Sequence, residues 1–402
     1  MGKVTKLLKT LGLGAGLAMF ASVAYAGPQI TFGPEEQGSL QIDYKGQFQM
    51  TVRDTGSGPG DDNSTMSFNF RRNRLAFMGA YGDVISLYVQ TEFLEHQDIG
   101  ILTVRDAESD SEFQLLDAVM RFDLHDAFKV NVGKFKYNFV RENLEACENP
   151  LTLDRSLFIR SPYVTTRDRG VAVWGNLLNN MVQYRVDAME GRSATTAAAT
   201  APKSSFRYSG RAHVTLLDPE NTYGYKGTYM GTKKVLTVGG AYQYEPDVAY
   251  SDTVNLTGAK DYQGYTADIF FEYPVEKLGT ITASAAYEKV DLGDAFMGLN
   301  PDPDAIGLNG EKNGYYIKAG YMLPNLPLQF FGRYEKWSFA NLNGIQNQRI
   351  DWYGGGLNYY LQGQSLKLTF EASQTGFHRG SGSVADGTKD FQTYVTQLQM
   401  IF

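Results

Sequence analysis

Apolar and polar residues alternate along most of this chain with a period of two, the signature of half-buried β-strands. Segment 84–95 places Ile85, Leu87, Val89 and Phe93 on one side and Tyr88, Gln90 and Glu92 on the other. Segment 114–125 sends Leu116, Ala118, Met120, Phe122 and Leu124 one way and Asp117, Arg121 and Asp123 the other. Segment 206–217 sets Phe206, Tyr208, Ala212, Val214 and Leu216 against Arg207, Ser209, Arg211 and His213. The last residues, TYVTQLQMIF, alternate in the same way and close on Phe402. Sixteen such segments run from 40–53 to 390–402.

A face carrying this many charges is not a dry core, because unpaired buried charge is very costly. A water-filled lumen satisfies it, and an apolar outer face then meets lipid. The even strand count and terminal aromatic predict an all-β fold, a transmembrane antiparallel β-barrel of about sixteen strands. Short turns such as 81–83, 126–127 and 362–363 alternate with long polar loops such as 54–65, 96–113, 140–166, 291–312 and 376–389. The connection 218–234 is long where a short turn is expected, and the sequence offers no reason for it. The stretch 193–205 (SATTAAATAPKSS) reads as an exposed flexible loop.

Composition fits this reading. The chain has 402 residues, with 43 Gly, 26 Tyr and 24 Phe, and its mean hydropathy is −0.32. That hydropathy excludes a polytopic helical membrane protein, and a single Cys excludes a disulfide scaffold. Lys3, Lys6 and Lys9, the apolar run Leu11–Val23 and Ala24-Tyr25-Ala26 form a secretory signal peptide over residues 1–26. The barrel domain then covers 27–402. Its 34 basic and 44 acidic residues give a net charge of −10. The expected address is the outer membrane of a Gram-negative bacterium, with lipid around the barrel.

Strand parity selects the lumen charges. Arg72, Arg74, Arg121, Lys129, Arg185, Arg207 and Arg211 face Glu92, Asp117, Asp123 and Asp187 in the first half. Lys318, Arg333 and Lys367 face Asp268, Glu272, Glu288, Glu335 and Glu371 in the second. A basic wall thus stands opposite a more acidic one, which favours anions where the cations ring the pore. Phe68 and Phe70 fall out of phase with Leu75 and Phe77, which predicts a β-bulge at Arg71-Arg72. Loop 140–166 mixes Arg141, Glu142 and Arg155 with Leu144, Leu151, Leu153, Leu157 and Phe158. That apolar content predicts a constriction loop folded into the lumen. Cys147, within it, reads as a small buried residue.

Phe70-Arg71-Arg72-Asn73-Arg74-Leu75 with Gly79 resembles the double-Arg second strand of the phosphate-selective porin O/P family. Leu116-Asp117-Ala118, Gly133-Lys134-Phe135-Lys136 through Glu142, and Leu153-Asp154-Arg155-Ser156 resemble its later motifs, in order. The resemblance implies a homotrimeric porin whose third loop narrows the pore. It also makes Lys129, Lys134 and Lys136 the candidates for a lysine cluster; Tyr137 departs from the family's usual Pro.

The chain is expected to be a porin for small hydrophilic solutes or anions such as phosphate. A non-conducting barrel that docks partner proteins is the alternative, distinguished by conductance. His96, His125, His213 and His378 show no metal spacing, and no G-x-S-x-G or CxxC occurs. No enzyme activity, catalytic residue, metal, cofactor or nucleic-acid partner is expected.

Overall fold

The computed structural model of the chain describes residues 27–93, 113–156, 166–191, 202, 205–252, 254–293, 312–342, 345–379 and 389–402. The expected signal peptide, most of the 193–205 stretch, and Leu157 and Phe158 lie outside the described residues.

Among the described residues there are seventeen strands: β1 (Gln29–Phe32), β2 (Gly38–Ser57), β3 (Asn63–Tyr81), β4 (Ile85–Phe93), β5 (Phe113–His125), β6 (Phe128–Phe135), β7 (Asp168–Leu177), β8 (Val182–Met189), β9 (Arg207–Thr215), β10 (Val235–Asp252), β11 (Thr257–Val275), β12 (Gly279–Asp291), β13 (Lys312–Met322), β14 (Leu328–Leu342), β15 (Ile345–Gln362), β16 (Leu366–Arg379) and β17 (Phe391–Ile401). From β2 to β17 each strand pairs antiparallel with the next, and β17 pairs back onto β2. The result is a closed sixteen-stranded barrel. Closure removes the unpaired edges that lipid cannot satisfy. The sixteen segments expected from the sequence are the sixteen strands of this ring.

β1 is the addition that alternation did not predict. It pairs with Gly38–Gln41 of β2, beyond the point where β17 stops at Lys45. The strand extends the seam outside the ring. Three hairpins also run further than expected. In β2–β3 the register continues to Ser57↔Asn63, so most of 54–65 is paired ribbon, not loop. The Thr- and Ser-rich ends of both strands suit this extension. β10–β11 and β14–β15 lengthen in the same way.

Exposed Leu, Val, Ile, Tyr and Phe side chains cover the outer wall, among them Leu87, Met120, Val186, Ile269, Ile317 and Leu398. The expected bulge lies between β2 and β3: Gln47 pairs with Arg72 and Phe48 with Phe70, leaving Arg71 as the extra residue. Arg71 and Arg72 therefore both reach Asp154. A second register shift faces Gln90-Thr91, where Leu116 is the extra residue on β5. It corrects the parity of Leu116, which is 6% exposed, while Leu115 takes the outward place at 43%.

Candidate functional site: the filled lumen

The loop after β6 turns into the barrel. Its first residues, Tyr137, Phe139 and Val140, join Val119, Ala172, Met189, Val248, Tyr262 and Val290 in an apolar cluster inside the wall. This packing explains the loop's apolar content. A single helical turn, Arg141–Leu144, follows, and the chain then crosses the lumen. It is pinned to distant strands throughout. Lys318 Nζ lies 2.5 Å from Glu142 Oε1, and Lys45 Nζ lies 2.6 Å from Glu148 Oε1. Asn358 donates to Leu151 O at 2.9 Å, and Leu153 N donates to Glu371 at 3.3 Å. Asp154 holds Arg71 and Arg72, each at 2.8 Å.

The connection between β9 and β10, unexplained by sequence, enters the lumen from the opposite rim and meets this loop. Ala146 N donates to Tyr225 O at 3.2 Å, Tyr225 N to Leu144 O at 3.1 Å, and Gly227 N to Asn149 O at 2.9 Å. Arg141 binds Glu220 bidentately at 2.7 and 2.8 Å, with both side chains fully buried. Glu272 on β11 anchors the insert by accepting from Tyr229 N, Gly231 N and the hydroxyl of Thr228. Two polar segments that would be costly to bury alone thus satisfy each other's backbone groups. The lumen is thus filled by segments from both rims that meet inside it.

Around it, most charges are paired. Arg74 meets Glu92, Arg167 meets Asp117, Arg207 meets Asp168, Arg211 meets Asp268, and Arg333 meets Glu371, all within 2.9 Å. Among the described residues, four cations beside the loop and the insert have no carboxylate within salt-bridge reach. Lys136 donates to Glu145 O and lies 4.0 Å from Cys147 Sγ. Arg155 reaches only the carbonyls of Glu142 and Asn143. Lys367 touches Glu148 O and Gln364. Arg185 is 1% exposed, bonds Gln183 and the Thr222 carbonyl, and stacks on Tyr223 and Tyr225.

Several loop groups are electrostatically shifted. Burial, with Arg155 and Arg167 nearby, lowers Lys136 to about 7 against the opposing pull of Cys147. Burial and the like charge of Glu142 raise Glu145 to about 7. Burial opposes ionisation of Cys147, but Arg155, Lys136, Arg72 and Arg74 overcome it and hold the thiol below its ordinary range. Cys147 is buried as expected, yet its surroundings are cationic, not apolar. Burial likewise opposes ionisation of Glu220, and Arg141 prevails to bring it down to about 2.

Of the site residues expected from sequence, Arg72, Arg74, Arg141, Glu142, Arg155, Arg185, Arg207 and Arg211 face this buried lumen. Arg121 lies inside against the Tyr88 ring, and Lys129 lies inside over Trp174, paired with Asp126 near the turn rim. Lys134 is a correction. It pairs in register with the outward Arg169 and donates to Leu115 O on the outer wall. Lys136 turns inward only because β6 ends at Phe135. The three lysines therefore form no cluster. The sequence reading omitted Asp154, Arg167, Glu220 and Tyr225 from the site. The first lies in a quoted motif, the second is the first residue of the expected strand 167–176, and the last two lie in the unexplained connection.

The sequence profile of the family described as phosphate-selective porin O and P matches residues 42–402. The chain belongs to that family. This porin is 24% identical over 333 residues to an uncharacterized protein of Aquifex aeolicus (strain VF5), covering 76% of this chain and 75% of the relative. Its fold matches Salmonella typhi OmpF, solved with daunomycin, at TM-score 0.58 and 10% identity, over 93% of this chain and 100% of the other. It also matches an anion-selective porin from Comamonas acidovorans at TM-score 0.54 and 9% identity, over 91% and 100%. The porin is an outer-membrane channel protein for small solutes.

Proposed function

We propose that this porin passes small hydrophilic solutes passively with a preference for anions, phosphate and other oxyanions included. The supporting observation is the cation surplus beside the loop and insert: Lys136, Arg155, Lys367 and Arg185 have no carboxylate partner among the described residues. Fixed positive charge lining a pore attracts anions and repels cations. Arg72, Arg74, Arg121, Arg207 and Arg211 supply further lumen charge, mostly balanced by acids. The anion selectivity of the Comamonas porin fits this reading.

We propose also that the mature chain begins at Gly27 after removal of residues 1–26, and that it works as a homotrimer without catalysis. Single-channel conductance of the purified, folded protein tests the core claim. In a KCl gradient the reversal potential takes the sign of chloride permeation. Absence of channel activity sinks the pore, and a cation-leaning reversal potential sinks the anion preference. The junction of loop and insert across the lumen favours a second reading, a closed barrel serving as a scaffold, and silence in the same assay supports it.

A further inference from the structure

The insert between β9 and β10 brings one aromatic ring to a place where three arginines meet. Tyr225 is 1% exposed, and backbone bonds to Leu144 and Ala146 fix where its ring lies. The guanidinium carbons of Arg141, Arg185 and Arg211 stand 4.4, 4.6 and 5.2 Å from its centroid. Arg185 and Arg211 are direct cross-strand partners on β8 and β9. Like charges placed so, about 5 Å apart at Cβ, cost stability unless something answers them. Asp268 answers Arg211, and Glu220 answers Arg141. Arg185 has no carboxylate partner among the described residues. Its hydrogen-bond partners are Gln183 and the Thr222 carbonyl, and its faces meet the rings of Tyr223 and Tyr225. All of these but Gln183 belong to the insert.

The hydroxyl of Tyr225 is used as well. It accepts from Arg211 Nε at 3.2 Å and lies 2.6 Å from His213 Nδ1. Guanidinium nitrogens donate only, so of these two neighbours His213 takes the hydroxyl proton. The tip of the ring is thereby tied to β9, and its π-face is left to hold cations. A guanidinium keeps its charge at any working pH, so what can change is where that charge stands. We infer that Tyr225 is a positioning residue for ion selectivity. Its ring holds the Arg185 guanidinium beside those of Arg141 and Arg211, and so fixes an unbalanced positive charge where loop and insert meet. Tyr225 carries no charge itself and needs no contact with solute. Arg185 acts through its field, which buried surroundings screen less than water does. This role rests on the anion preference proposed above.

Reversal potentials of the folded channels in a KCl gradient test it. Arg185→Gln is expected to lower the anion-to-cation permeability ratio roughly twofold, the share of one unit charge. Tyr225→Leu is expected to lower it by a comparable factor, while Tyr225→Phe, which keeps the ring, holds the wild-type ratio. The Tyr225→Leu/Arg185→Gln double variant is expected to fall no further than Arg185→Gln alone, because one residue acts through the other. An unchanged ratio in Tyr225→Leu or in Arg185→Gln overturns the role, as do an equal fall in Tyr225→Phe and fully additive falls in the double variant. A cation-leaning wild type sinks the anion preference alone, and a further lean toward cations in Tyr225→Leu then still supports the ring's role. Phenylglyoxal labelling, read by peptide mass spectrometry, needs no current. Arg185 is expected to label several-fold faster in Tyr225→Leu than in wild type or Tyr225→Phe, while Arg207, stacked on Tyr137, labels slowly in all three. Equal labelling of Arg185 in all three overturns the role.

Discussion

Raising the pH from 6 to 8 is expected to weaken the anion preference of the channel. Two groups at the constriction titrate in this interval. Lys136, lowered to about 7, loses its positive charge as the pH rises. Glu145, raised to about 7, gains a negative charge over the same range. Both changes have the same sign, and together they alter the local charge by two units. A unit charge about 8 Å from a passing ion contributes roughly 0.5 kcal/mol in water, and screening at 0.1 M salt halves it. Two charges then shift an anion by about 0.5 kcal/mol and a cation by the same amount in the other direction. The combined change of about 1 kcal/mol is roughly a fivefold fall in the anion-to-cation permeability ratio. Reversal potentials in a KCl gradient at pH 6, 7 and 8 measure it. Lys136→Met/Glu145→Gln is expected to flatten the profile. A wild-type ratio independent of pH, or one rising with pH, refutes the argument.

Other consequences are equally direct. Glu220→Gln takes the bidentate carboxylate from buried Arg141 and leaves it Glu145 at 3.7 Å, a loss of up to about 3–5 kcal/mol; thermal unfolding should come earlier, and single-channel records should become larger and noisier as the insert releases. The folded Glu220 lies near 2, below the ordinary value of 4.5, so its stabilising contribution is present above about 4.5 and fades as the pH falls toward 2; acid titration of the wild type and Glu220→Gln should converge there. Glu272→Gln weakens the anchor of Tyr229 and Gly231 and should loosen the insert without touching the loop, read as faster proteolysis between β9 and β10. Gly133 sits at φ +130°, and a Cβ there meets the Ala118 carbonyl at 2.1 Å; Gly133→Ala should lower folding yield and thermal stability by a few kcal/mol, about the cost of strained backbone plus overlap.

The barrel was legible because lipid and water impose a period of two on every strand. Even the bulge at Arg71 announced itself through the phase slip between Phe70 and Leu75. The loop's inward course could be read from its leucines. Its pairing could not, since Lys318, Glu371 and Asn358 lie far from it in sequence and only ring closure brings them near. The insert 218–234 was opaque for a related reason. Its Asn, Gly, Thr and Tyr residues carry no strand or helix pattern, and its backbone becomes buriable only against a partner that is itself an irregular segment. Lys134 was a cluster candidate by family resemblance, and it shares its strand parity with Lys136. The end of β6 at Phe135, between the two, puts them on opposite sides of the wall.

The short strand β1 bears on how the ring comes together. β17 reaches only as far as Lys45, which leaves the first residues of β2 with one unbonded side. β1 lies against Gly38–Gln41 on that side. Docking β1 depends on β2 already being in place, and it blocks further strand addition at the seam. The N-terminal segment thereby covers the backbone edge that ring closure leaves open at the start of β2.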